Sequence, residues 1–221
     1  MISDRKVKKI VEFYRKIYDI KMIKFRLNLF KVRIFDVIHG TDFGGRIYHG
    51  ELGISRERAN DYSATPYELM KSLKKLNITP KDSIADLGSG KGFALFYMSK
   101  FAFAKIAGIE LSERMVNICN DNIRKLLPND KRINVECCDA AIWGSYDEYN
   151  MFYIYNSFPK KVMKEVLQSI NQSIERRPRK VLILYLYPEW AEVFERDKKW
   201  KLISRGNEKE LRKGMHIFTN T

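Results

Sequence analysis

Glycines at alternate positions, Gly88, Gly90 and Gly92, follow a short apolar run that ends on an acid, Asp86. No other stretch limits the fold so tightly. A run with helix-forming character, 93–101, comes next, and a second apolar run, Ile106 to Ile109, ends on Glu110. Read as strand, glycine turn, helix and strand, this is half of a nucleotide-binding α/β unit. Glycine lets backbone pass close to a ligand where a Cβ would collide. The helix is expected to point free N–H groups at whatever occupies the turn. Glu110 stands twenty residues past Gly90 (110 − 90), where an acid at a strand tip accepts hydrogen bonds from ribose hydroxyls.

The spacing departs from the dinucleotide fingerprint G-x-G-x-x-G, whose third glycine would fall on Phe93. The actual pattern is D-x-G-x-G-x-G, with the acid ahead of the first glycine. A carboxylate there repels a pyrophosphate but suits a cationic ligand end such as an amino acid ammonium. In ADLGSGKG at 85–92 and GIELS at 108–112 the chain resembles the class I S-adenosylmethionine-dependent methyltransferases, over roughly Tyr62 to the C-terminus. The resemblance implies S-adenosylmethionine as cofactor and S-adenosylhomocysteine as product. It implies that Asp86, Gly88, Gly90 and Gly92 hold the methionine part and Glu110 the ribose. It gives the adenine amino group to Asp139 and the ring to the backbone amide of Ala140. A strand-terminal turn also explains Asp139, and Trp143 and Tyr146 either flank the ring or pack in the core. Tyr62 and Thr65 precede a helix at the place where such enzymes touch the methionine end. For Thr65 a capping role suffices, since Thr65-Pro66-Tyr67-Glu68 is a capping box with proline at the first helical position.

The fourth expected strand, Met151 to Tyr155, ends in Asn156-Ser157-Phe158-Pro159. An open α/β sheet places its chemistry at the carboxyl end of such a strand. Amino-group methyltransferases carry an Asn/Asp-Pro-Pro-Tyr/Phe tetrad there, whose side-chain oxygen and backbone carbonyl hold the amine while the aromatic ring covers it. This chain keeps the amide and an aromatic residue but lacks the first two prolines. It is about as similar to the Asn-rich, Phe-containing segment of the non-SET lysine methyltransferases. The resemblance thus implies Asn156 and Phe158 as acceptor-site residues. Methyl transfer asks mainly for alignment of nucleophile, methyl carbon and sulfur. No His or acid stands at this strand tip as a general base, which favours a nitrogen acceptor, a protein lysine or a small amino metabolite. RNA is the alternative acceptor. A cofactor-binding protein without turnover, docking to anionic partners, is the reading from another class.

Charge supports that second pair of readings. Lys and Arg number 41 against 27 Asp and Glu, a formal net charge of +14. Such a balance favours anionic partners, and it also arises from biased composition alone. Eleven Lys/Arg face three acids in the first 34 positions. Apolar residues recur there at helical spacing, so 4–18 is expected as a basic amphipathic helix and 22–38 as a second helix. Such a segment lies on RNA or a membrane surface, or packs its apolar stripe on its own domain. Cys119, Cys137 and Cys138 lack C-x-x-C spacing and the three histidines are scattered, so no metal is expected. Without an apolar signal core or a membrane-length run, the expected location is cytoplasmic.

The expected fold is α/β, a seven-stranded mostly parallel sheet of the Rossmann-like kind with helices on both faces, plus a helical N-terminal extension. Residues 1–60 form that extension and a glycine-spotted lid loop, and residues 61–221 the methyltransferase domain. Helices are expected over 65–76, 113–127, 161–174 and 189–197, and a terminal hairpin over 200–204 and 215–219.

Overall fold

The computed structural model describes residues 27, 30–64, 68–206 and 214–220. The basic helix expected over 4–18, most of the start of the second, the capping box at Thr65 and the charged connection 207–213 lie outside the described residues. Residues 30–39 are helical (α1), and a loop with a 3-10 turn, His49–Leu52, follows. Then come α2 (Glu68–Leu73), β1 (Ser83–Leu87), α3 (Phe93–Met98), β2 (Lys105–Glu110), α4 (Glu113–Leu126) and β3 (Ile133–Cys137). The chain closes with β4 (Met151–Tyr155), α5 (Lys160–Arg176), β5 (Leu182–Leu186), α6 (Glu192–Glu195), β6 (Trp200–Arg205) and β7 (Met215–Asn220).

The strands form one seven-stranded sheet in the order β3-β2-β1-β4-β5-β7-β6. All neighbours are parallel except at β7, which runs antiparallel to both β5 and β6. Strands covered on both faces read as continuous apolar runs, and β1 and the first four residues of β4 are buried. Their side chains alternate between two cores. Ala85, Leu87, Phe152 and Ile154 face α5 through Val162, Met163, Val166 and Ile170. Ile84, Met151 and Tyr153 face the other way, against Leu69 and Leu73 of α2, Leu95 and Met98 of α3, and Cys119 of α4.

Local chemistry sets the element ends. Ser112 Oγ accepts from Met115 N (3.4 Å) and caps α4. Helix α2 stops at Leu73 rather than Leu76, because Lys75 N and Leu76 N turn to carbonyls three residues back, Ser72 O (3.1 Å) and Leu73 O (3.1 Å). Helix α6 is shorter than expected, since a tight turn with Glu189 N donating to Tyr187 O (2.8 Å) precedes it.

A third apolar cluster docks the lid. Phe43 stacks on Phe93 of α3 with ring centroids 4.6 Å apart, and Phe35 of α1 sits 5.7 Å from the same ring. Lys91, buried inside the glycine turn, donates to Asp42 Oδ1 (2.6 Å) and Gly44 O (2.8 Å). Asn122 of α4 accepts from Asp42 N (2.8 Å) and donates to Lys91 O (3.0 Å).

Candidate active site at the strand tips

Strand order reverses between β1 and β4, and their carboxyl ends open the crevice that such a switch point always leaves. A cleft of ≈ 470 Å³ occupies it, in the ordinary range for a small-molecule site. The glycine turn forms its floor, with Glu110 beyond β2, Asp139 and Ala140 beyond β3, Asn156 to Phe158 beyond β4, and Tyr187 and Glu189 beyond β5. Lid residues from Arg46 to Ser63 cover it.

The turn needs its glycines. Gly88, Gly90 and Gly92 have φ of +88°, +53° and +86°. A Cβ on Gly90 would lie 2.4 Å from the Tyr62 ring, and one on Gly92 would lie 2.4 Å from Cys119 Sγ. Within the turn itself, ahead of α3, the backbone N–H groups of four residues are engaged. Gly88 N (2.8 Å) and Ser89 N (3.0 Å) donate to Ile109 O, Gly92 N to Ser89 O (2.9 Å) and Gly90 N to Glu110 Oε2 (2.9 Å). These bonds lash the turn to β2, and α3 spans only six residues. The turn offers shape rather than a nest of donors.

Asp86 is buried in β1, and no hydrogen bond to its carboxyl exists among the described residues. Desolvation first, and the Glu110 charge second, push its pKa well above the usual carboxylate range. Glu110 is also raised by burial, against the pull of the backbone N–H groups of Ser112 and Gly90. One buried and one partly buried carboxyl, neither in a salt bridge among the described residues, suit a cationic ligand end.

Asp139 is drawn into the lid. Its Oδ1 accepts from Ala141 N (2.9 Å), while Arg58 donates to its other oxygen and to Glu165 Oε2 (2.9 Å). Trp143 and Tyr146 belong to the core: the indole donates to Glu136 (2.9 Å), and the phenol donates to Ala140 O (2.7 Å).

At the tip of β4, Asn156 adopts φ +44°, and at the tip of β5, Tyr187 adopts +49°. Backbone strain of about 1–3 kcal/mol per residue persists only where the surroundings impose it, commonly at functional sites. Asn156 Nδ2 donates to Glu189 Oε2 (3.4 Å), and Asn156 Oδ1 is buried without a partner among the described residues. Asn60 of the lid donates through Nδ2 to Asn156 O (2.7 Å) and through N to Ser157 O (3.0 Å). Phe158 is buried at the cleft wall. Tyr62 donates its hydroxyl to Phe43 O (2.7 Å), so its ring is held over Gly90.

Sequence reasoning missed Asn60, Arg58, Asp61, His49, Tyr187 and Glu189, which all line this cleft. They sit in a loop without periodicity or just past a strand. Only the length and the glycines of that loop signalled a role.

Residues 84–176 match the family described as a methyltransferase domain. The fold is the Rossmann-like one of the class I methyltransferases. The domain's fold recurs in the magnesium protoporphyrin IX methyltransferase of Synechocystis PCC 6803, solved with S-adenosylmethionine bound. That match has 14% identity and a TM-score of 0.51 and covers 68% of this chain and 74% of that one. It is similar to an S-adenosylmethionine-dependent O-methyltransferase of Thermotoga maritima, at 12% identity, TM-score 0.52, and coverage of 72% and 66%. A candidate methyltransferase of Streptococcus mutans in complex with S-adenosylhomocysteine matches at 10% identity and TM-score 0.52, covering 72% of this chain and all 100% of that one. At these identities the likeness is one of fold. Among curated proteins none matches the sequence. Among the described residues, no three His, Cys, Asp or Glu side chains group as metal ligands, and no helix is long and apolar enough to cross a membrane.

Proposed function

We propose that the chain transfers a methyl group to an amine, a protein lysine or a small amino metabolite, held at the tip of β4. The observation that carries this is the buried, unpartnered Oδ1 of Asn156 on a strained backbone. A buried acceptor without a donor costs about 1–3 kcal/mol, and an N–H group of the acceptor would relieve it. The carbonyls of Asn156 and Ser157 already accept from Asn60, which leaves the side-chain oxygen to orient the incoming nitrogen.

The remaining residues fit the cofactor. Asp86 would face the methionine ammonium, Glu110 the ribose, and Asp139 with Ala140 the adenine, with Gly88 to Gly92 and Tyr62 around the methionine chain. When bound, S-adenosylmethionine supplies a methyl group on a sulfonium, a good leaving group that becomes S-adenosylhomocysteine. The chain's part is to hold the amine in line, to cover it with Phe158 and to exclude water with the lid.

Asn156→Ala tests the assignment. Transfer of labelled methyl from S-adenosylmethionine into a host-cell extract should fall by about 10²–10³-fold, the order expected when an orienting group is removed. Affinity for S-adenosylhomocysteine should persist. Undiminished transfer would remove Asn156 from the acceptor site.

A further inference from the structure

We propose that His49 and Asp61 form a base that takes a proton from the acceptor ammonium at this site, an inference that rests on the amine reading above. His49 Nδ1 lies 2.8 Å from Asp61 Oδ1, and His49 N donates to the same oxygen at 3.2 Å. The other Asp61 oxygen accepts from Arg46 Nη2 at 3.0 Å. With Nδ1–H donating to a carboxylate, a neutral imidazole carries its lone pair on Nε2. That nitrogen has no hydrogen-bond partner among the described residues, and His49 lines the cleft.

Chain geometry puts the pair where donor and acceptor meet. Asp61 stands between Asn60, which is bonded to the Asn156 and Ser157 carbonyls, and Tyr62, which packs on Gly90. An antiparallel bridge between Ile47 and Tyr62 brings the His49 segment alongside. The His49 and Asp61 side chains are 27% and 21% exposed, dry enough to hold their geometry and open enough to reach a ligand. The His49 hydrogen bond is the leading cause that holds the Asp61 carboxyl below its ordinary pKa. Asp61 therefore remains an anion that stabilises an imidazolium once formed.

The step balances. An alkylammonium has no lone pair, so it must first give one N–H proton to His49 Nε2. The freed nitrogen pair then forms the N–C bond as the C–S bond breaks with its pair left on sulfur. The methylated product is an ammonium again, and His49 returns its own proton to water when product leaves. The same dyad satisfies a hydroxyl acceptor, so the identity of the labelled product distinguishes the two.

His49→Ala is the test, with Asp61→Asn as the second variant. Labelled methyl transfer into host-cell extract should fall by about 10²–10⁴-fold for His49→Ala, the range of general-base contributions. S-adenosylhomocysteine affinity, read by calorimetry, should not change, and added imidazole should restore part of the transfer. Asp61→Asn should lower transfer at unchanged affinity. Wild-type transfer rates in His49→Ala would overturn the proposal. So would loss of transfer together with cofactor affinity and without imidazole rescue, which marks a mere brace for the lid. Cofactor binding by the wild type with no transfer to any fraction would leave no proton to take and would overturn it too. Failure of the wild type to bind S-adenosylhomocysteine would instead sink the methyltransferase reading itself, before any variant is compared.

Discussion

Asp86 sits near the end of β1, buried between the apolar Ala85 and Leu87, and the Glu110 charge helps to raise its pKa. Both carboxyls titrate above their unfolded values. Their contribution to stability is therefore present below the unfolded carboxylate range near ~4 and is lost as pH rises through the raised folded values. The ligand-free protein should gain stability as pH falls from neutrality toward that range, measured by thermal melts; Asp86→Asn should flatten the gain and raise the neutral-pH melting temperature. The same variant should weaken S-adenosylhomocysteine binding by roughly 10–100-fold, the worth of one charge-assisted contact of about 1.5–3 kcal/mol. A variant that melts lower and binds equally well would contradict the role of Asp86. Gly92→Ala adds a Cβ at 2.4 Å from Cys119 Sγ at φ +86°, and overpacking of this kind costs about 1–3 kcal/mol. Its melting temperature should drop accordingly. The acids and glycines of 86–110 were legible because local spacing alone fixes them. Arg58 and Asn60 were not, because their partners stand far along the chain: Asn60 meets Asn156 across 96 positions and Arg58 meets Glu165 across 107.

At the scale of the element, the loop over the cleft is the one on which the proposed binding and chemistry converge. Lys91 and Asn122 hold its start at Asp42 and Gly44, Tyr62 presses on the glycine turn, and Arg58 fastens its middle to Asp139 and Glu165. These polar bonds span the gap between a loop and a sheet, and no hydrophobic period announces them. The loop was expected to cover the site on its length and glycines, while its docking through Phe43 onto Phe93 and the buried Lys91 could not be read from local pattern. Arg58→Ala should free Asp139 from its strongest partner and loosen the lid. Limited proteolysis should then cut faster within 46–60, and S-adenosylhomocysteine dissociation should speed up. Equal cleavage and release rates in wild type and variant would show that the lid does not depend on Arg58. The parallel strands read well from sequence for the opposite reason, since burial on both faces leaves uninterrupted runs of apolar and aromatic residues in β4 and β5. The ends of α2 and α6 were overextended, because backbone turns rather than side chains terminate them.

At the scale of the whole molecule, a seven-stranded sheet with its reversed β7 frames the crevice at the strand tips, in a chain of formal net charge +14. The division of labour across that crevice is the central claim: cofactor on the β1–β3 side, acceptor at the tip of β4. Calorimetric titration of S-adenosylhomocysteine into wild type, Glu110→Ala and Asn156→Ala tests it most directly. The account predicts one site per chain in the wild type, clear weakening in Glu110→Ala and retained affinity in Asn156→Ala. No binding by the wild type, or the reverse order of the two variants, would contradict it.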